Sequence, residues 1–293
     1  MGVTRRLLAA LLALGLGGVS APAGGASAAA GRLLAGVRSW AVYYGAAPDA
    51  ATDLARFDVV VLDPHGHPPL AAVKRHGALV LMYVSLGEIN AHHPRFAEIA
   101  GEPWVLSPNA NWPEARRLDV RAPAYERWLL ERVVPAALAG PVNGLFLDTA
   151  DTALELERAE PGRYAGTAAA LERVLGELKR RQPRAILLLN GGLPLVERLP
   201  RVVDAVAMES IWTDYDFEAK RYRARPHDEA LARAAPLQRV AARGLSIFTL
   251  EYVGEGEDAH RIRDLIGRSR GLGFVPYVST IGLDRVSTHT LAP

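Results

Sequence analysis

Short runs of apolar, β-branched or aromatic residues recur along the chain, separated by stretches in which apolar positions repeat with a helical period. The runs are Ser39 to Tyr44, Phe57 to Leu62, Ala78 to Val84, Gly144 to Leu147, Ala185 to Leu189, Val203 to Met208, Leu245 to Leu250 and Phe274 to Val278. Most are continuously apolar instead of alternating, as expected of parallel strands covered on both faces. Helical patterns fall at Pro68 to His76, Pro123 to Leu138, Tyr164 to Arg181, Asp228 to Arg243 and Asp258 to Arg270. Shorter ones fall at Pro48 to Ala55 and Leu193 to Leu199. Eight alternating β/α units over residues 31–293 predict an α/β fold, a single (β/α)8 TIM barrel. A doubly wound open sheet is the alternative, but its glycine-rich phosphate fingerprint is missing after the first strand.

One connection breaks the rhythm. From Ile89 to Ala122 the chain is interrupted by prolines, carries Trp104 and Trp112, and shows little periodicity. A long loop inside a compact domain is usually functional. After strand three of a barrel it lies on the C-terminal face, where active sites are built, and it reads as one wall of a substrate groove.

Residues Met1 to Ala30 read as a secretory signal peptide, with Arg5 and Arg6 as the positive start, an apolar stretch from Leu7 to Val19, and A-x-A sites at Ala26-Ser27-Ala28 and Ala28-Ala29-Ala30. An uncleaved membrane anchor is the alternative. Location outside the cell or in the periplasm is therefore expected, with no stable membrane insertion after processing. The whole chain has 34 basic and 32 acidic residues, and the leader holds two of the former and none of the latter. The remainder is balanced, which removes the main support for a nucleic-acid partner. The absence of cysteine excludes a thiol nucleophile, a thiolate metal site and disulfides.

In a barrel, chemistry belongs at the strand ends. Here the ends carry Tyr43-Tyr44-Gly45, Asp63, Ser85-Leu86-Gly87-Glu88, Asp148-Thr149-Ala150-Asp151, Asn190-Gly191-Gly192, Glu209-Ser210, Glu251-Tyr252 and Ser279-Thr280. Six carboxylates are thereby expected on one rim, a costly crowding that suggests function.

Several of these segments, in order, resemble glycoside hydrolase family 114. They are Trp40-x-x-Tyr43-Tyr44-Gly45, Phe57-Asp58-x-Val60-Val61-x-Asp63, Tyr83-x-Ser85-x-Gly87-Glu88, Gly144-Leu145-Phe146-Leu147-Asp148-x-x-Asp151, Leu189-Asn190-Gly191-Gly192 and Glu209-Ser210-x-Trp212. The resemblance runs from about Trp40 to Thr280. It implies a TIM barrel, endo-α-1,4-polygalactosaminidase-like activity on partly deacetylated galactosamine polymers, and a catalytic carboxylate pair that falls on Asp148 and Glu209.

The residues support such chemistry on their own. Glycoside cleavage needs two carboxyl groups with divided roles and no cofactor. Glu209 follows an apolar run, so burial should raise its pKa toward that of a working acid, while Asp148 suits the nucleophile. A retaining pair would stand about 5–5.5 Å apart. Asp63, Glu88, Asp151 and Glu251 are expected to bind substrate amines or hydroxyls, with Glu251 in reserve as nucleophile. Asn190 is expected on a sugar hydroxyl, and Tyr44, Trp212 and Tyr215 are expected to stack on sugar rings. Two other readings remain open: a non-catalytic carbohydrate-binding barrel, and a metal-dependent polysaccharide deacetylase using His65-x-His67 with Asp63. No metal is expected in the leading reading.

Overall fold

Eight parallel strands take up the eight apolar runs. In the computed structural model, which describes residues 31–199 and 201–291, they are β1 (Trp40–Tyr43), β2 (Val59–Leu62), β3 (Leu79–Ser85), β4 (Gly144–Asp148), β5 (Ile186–Asn190), β6 (Ala205–Glu209), β7 (Ser246–Tyr252) and β8 (Val275–Ser279). Each pairs in parallel with the next in sequence. The sheet curls almost shut, and β1 meets the far side where Tyr44 N donates to Leu283 O at 2.8 Å. This is the (β/α)8 barrel that the periodicity predicts. The expected leader lies outside the described residues.

Side chains alternate in and out along each strand, and the inward set fills the barrel. Trp40 is fully buried at its centre, edge-on to Phe248 at 5.2 Å and within 6.4 Å of Phe146 and Tyr277. Its indole nitrogen donates to Thr249 O. Ala205 and Ala207 on β6 are fully buried. Tyr83 stacks on Phe146, so positions 83, 146, 148, 248, 250 and 252 share the interior, and the odd position 251 points out toward the helices. At the other end of the barrel, Asp58 accepts from Arg38 N, Ser39 N and Ser39 Oγ, tying β1 to β2. The buried pair Lys179–Asp204, 2.7 Å apart, ties the helix Thr167–Arg181 to the start of β6.

Three features depart from the sequence reading. A helix at Ala150–Ala159 follows β4 directly; only Ala150, Ala153 and Leu156 of it are buried, too sparse an apolar stripe to stand out. The segment after β3 is not irregular throughout: Glu88–Asn90, Val105–Pro108 and Ala115–Leu118 form a small antiparallel sheet. A hairpin, Thr213–Asp216 with Arg221–Ala224, stands on the end of β6.

Candidate active site

Asp148, Asn190 and Glu209 end three consecutive strands, each on an inward position. The Asn190 side-chain nitrogen Nδ2 donates to Asp148 Oδ1 at 2.9 Å and to Glu209 Oε1 at 2.7 Å. The two N–H bonds of one planar amide diverge by ~120°, which sets the two acceptor oxygens on the order of 5 Å apart. Tyr83 on β3 donates its hydroxyl to Asp148 Oδ2 at 3.0 Å, and Tyr252 on β7 donates to Glu209 Oε2 at 2.7 Å. Every oxygen of the pair thus receives a hydrogen bond. Asn190 Oδ1 is buried and has no hydrogen-bond partner among the described residues. Turning the amide over would aim that oxygen at both carboxylates, so the observed orientation is forced.

Burial and the neighbouring Asp148 charge push the Glu209 carboxyl up to about 7, against the hydrogen bonds from Tyr252 and Asn190 that favour the anion. Burial, and then the nearby carboxylates, raise the hydroxyls of Tyr83 and Tyr252 well above the ordinary phenol value. Both therefore remain donors at neutral pH. Tyr44, half-buried and edge-on to Tyr83 at 5.2 Å, is raised by burial, by Tyr83 and by both carboxylates, which places it at the same centre.

The backbone turns sharply just past each carboxylate. Thr149 (φ 60°) and Ser210 (φ 55°) occupy the left-handed region, costly for residues with a Cβ and commonest at functional sites. Thr149 is held there by its hydroxyl, which lies 2.7 Å from Ser85 Oγ and accepts from Gly87 N at 2.8 Å. Gly87 has to be glycine, because a Cβ would run into Thr149 O. Gly191 (φ 65°) is equally constrained, since a Cβ would strike the carboxylate of Asp151.

A barrel with a hydrogen-bonded carboxyl pair across its mouth is the frame of many glycosidases, and the comparison with known proteins names the kind. The sequence model of Glycoside-hydrolase family GH114 matches residues 21–291. The chain belongs to glycoside hydrolase family 114. It is similar to the glycoside hydrolase domain of PelA from Pseudomonas aeruginosa, at 31% identity over 86% of this chain and 98% of that one, with a TM-score of 0.74. Aspergillus fumigatus Ega3, solved in complex with galactosamine, shares the fold at 14% identity, over 84% of this chain and 92% of that one, with a TM-score of 0.66. No curated protein sequence matches the chain significantly. This family 114 member is a glycosidase.

The six carboxylates do not all face one rim. Glu251 is fully buried on the outward side of β7, where it accepts from Ile211 N, Trp212 N, Thr213 N and Thr213 Oγ1 at 2.8–3.0 Å. It is a clamp on the chain leaving Glu209, neither a substrate ligand nor a reserve nucleophile. Strand alternation is the reason: with Tyr252 turned inward, position 251 must turn out. Glu88 is also buried, and accepts from Asn109 Nδ2 at 2.6 Å, pinning the long segment after β3. Asp151 stands at the surface, but its carboxyl end is packed against Gly191 and Gly192: one oxygen accepts from Gly192 N at 2.9 Å, and loss of water around that end, then the Asp148 charge, raises its pKa. Asp63 caps its own turn by accepting from His65 N, yet its charge reaches Tyr44.

Trp212 leaves the groove altogether. It is buried, donates to Ser269 Oγ at 2.9 Å, and lies between His227 and Arg268. Tyr215 stays half-buried on the hairpin. Asn190 holds the carboxylates in place of a sugar hydroxyl. For the deacetylase reading, His65 and His67 face different partners: His65 Nε2 meets His93 Nε2 at 2.9 Å, and the His67 ring meets Pro68 O. No group of three metal-ligating side chains suited to an ion occurs among the described residues.

Sequence reasoning passed over Tyr83 and Tyr252 as partners of the pair, because the phase of β3 and β7 relative to β4 and β6 is set only once the strands are paired. It also passed over Arg233, whose guanidinium donates to Glu209 O at 3.3 Å. Arg233 sits on the helix His227–Ala241 that follows the hairpin after β6, where it reads as one more surface arginine.

Proposed function

We propose that this glycosidase cleaves galactosamine-containing polysaccharide within the chain, with retention of configuration, using Asp148 as nucleophile and Glu209 as acid/base. The observation that carries the reading is the single Asn190 amide shared by both carboxylates. It places the oxygens near the 5–5.5 Å of retaining enzymes and short of the 6.5–9.5 Å that leaves room for a water. Division of labour follows from environment. Glu209, raised to about 7, can carry a proton at neutral pH. It delivers that proton to the glycosidic oxygen as the bond to the anomeric carbon breaks. The Asp148 carboxylate then bonds to that carbon, giving a glycosyl ester. In the second half, Glu209 removes a proton from water, the water oxygen attacks the same carbon, and Asp148 is released.

The substrate class draws support from the galactosamine in the Ega3 complex and from the acidic site, where Asp63, Asp148 and Asp151 would favour a polymer bearing free amines. Export by the expected Met1–Ala30 leader belongs to the same proposal. The test is turnover of partly deacetylated galactosamine polymer with the product anomer followed by NMR. Initial release of the α-anomer is expected, with activity falling as salt or N-acetylation rises. Release of the β-anomer would overturn retention. Full activity of Asp148→Asn would overturn the assignment of the pair.

A further inference from the structure

The long segment after β3 and the hairpin after β6 touch each other. Trp112 and Phe217 meet edge to face, ring centroids 5.1 Å apart and inclined at 74°. Both ends of the contact are anchored. On one side, Asn111 N donates to Asn109 Oδ1, and Asn109 Nδ2 donates to Glu88 just past β3. On the other, Phe217 packs on Tyr215 at 5.0 Å, and Tyr215 on Tyr222 at 4.9 Å. The Tyr222 hydroxyl accepts from Ile281 N, just past β8.

In a ring of eight strands, β3 and β6 are separated by β4 and β5. A contact between their loops therefore closes a circuit: up the segment from β3, across Trp112 and Phe217, down the hairpin to β6, and back along the ends of β5 and β4. Asp148, Asn190 and Glu209 lie on the floor of that circuit. Trp112 has half of its surface (50%) in water, an expensive exposure for an indole that contributes to no core.

We infer that Trp112 and Phe217 roof a passage for the substrate, so that a polysaccharide lies beneath two aromatic faces with its scissile bond over the carboxylates. This rests on the proposed function and adds where the chain runs and how it enters. Aromatic faces suit the C–H faces of pyranose rings, and the acidic floor suits their amines. A short oligosaccharide enters from an end of the passage. The middle of a long chain enters only when the two rings part, and a single edge-to-face pair is weak enough to part. Once the rings close, the polymer is held between cuts.

The chain contains no cysteine, so in the double variant Trp112→Cys/Phe217→Cys a bifunctional thiol reagent, with a spacer as long as two contacting aromatic side chains, bridges these two positions within one molecule. The free and bridged forms of this protein differ in whether the roof can open. With galactosamine polymer and a galactosamine oligosaccharide of a few units as probes, bridging is expected to lower internal cutting of the polymer on the order of tenfold and to leave oligosaccharide turnover unchanged. A second measurement does not depend on turnover. In the Glu209→Gln background, bridging after loading should slow polymer dissociation on the order of tenfold, and oligosaccharide dissociation not at all. An unchanged ratio of polymer to oligosaccharide in both measurements would overturn the inference, as would failure of the spacer to bridge the two positions. Absence of turnover in the unmodified protein would count against the proposed function instead, and the trapping measurement would still report on the roof.

Discussion

Tyr252 donates its hydroxyl to Glu209 Oε2 at 2.7 Å, from the strand beside it, while its neighbour Glu251 turns the other way and clamps the loop that leaves Glu209. Two successive residues of β7 thus serve one carboxyl group from opposite faces of the sheet. One sets its electrostatics and the other its position.

Removing the first should move a pKa. The Tyr252 hydrogen bond favours the charged form of Glu209, so Tyr252→Phe lets the pKa rise above about 7. The alkaline limb of kcat/KM, which reports loss of the acid's proton, should move up by about one pH unit. A limb that stays in place would mean that another group carries the proton.

Removing the second should cost stability. In Glu251→Gln one carboxylate oxygen becomes a donor facing backbone N–H groups that already point at it. At least one buried N–H loses its acceptor, at a cost of about 1–3 kcal/mol. Chemical denaturation should show this loss. The dependence of kcat on leaving-group pKa should keep its wild-type slope, because Glu251 touches no reacting atom. A changed slope would return Glu251 to the chemistry.

Asn190 is the cross-link between the two carboxyls. Asn190→Ala frees both and removes a donor from each, and kcat should fall on the order of 10²-fold with the circular-dichroism spectrum unchanged. Asn190→Asp should be worse at neutral pH and partly recover as pH falls, because a third carboxylate between two others repels both until it is protonated.

The raised pKa of Glu209 also predicts a stability profile. Its folded value, about 7, lies above its ordinary 4.5, so between those pH values the folded protein holds the proton more tightly than the unfolded chain. The stability present near pH 4.5 is therefore lost as pH rises through 7. Glu251, raised by burial to about 7, acts in the same window and sense. Glu209→Gln should flatten part of the decline and raise Tm at pH 8 while abolishing proton delivery. An identical Tm-against-pH curve for the variant would show that Glu209 titrates normally.

The eight strands, and the residues on their ends, were legible in the sequence because each is a local matter: a continuous apolar run, then a polar break. Asp148 and Glu209 stood out for that reason. The helix Ala150–Ala159 did not, since three small or isolated apolar residues suffice where a helix only grazes the barrel. What the tertiary structure alone decided is which way each strand-end side chain points. Glu251 and Tyr252 read alike as strand-end polar residues, and only the inward register of Phe248 and Leu250 sends one to the helices and the other to Glu209. Trp212 and Trp112 read alike as loop aromatics. Closure of the barrel buries the first against Ser269 and sets the second against Phe217, more than a hundred residues away. A strand's periodicity carries its alternation but not its phase, and the phase is set by which face meets the seven other strands.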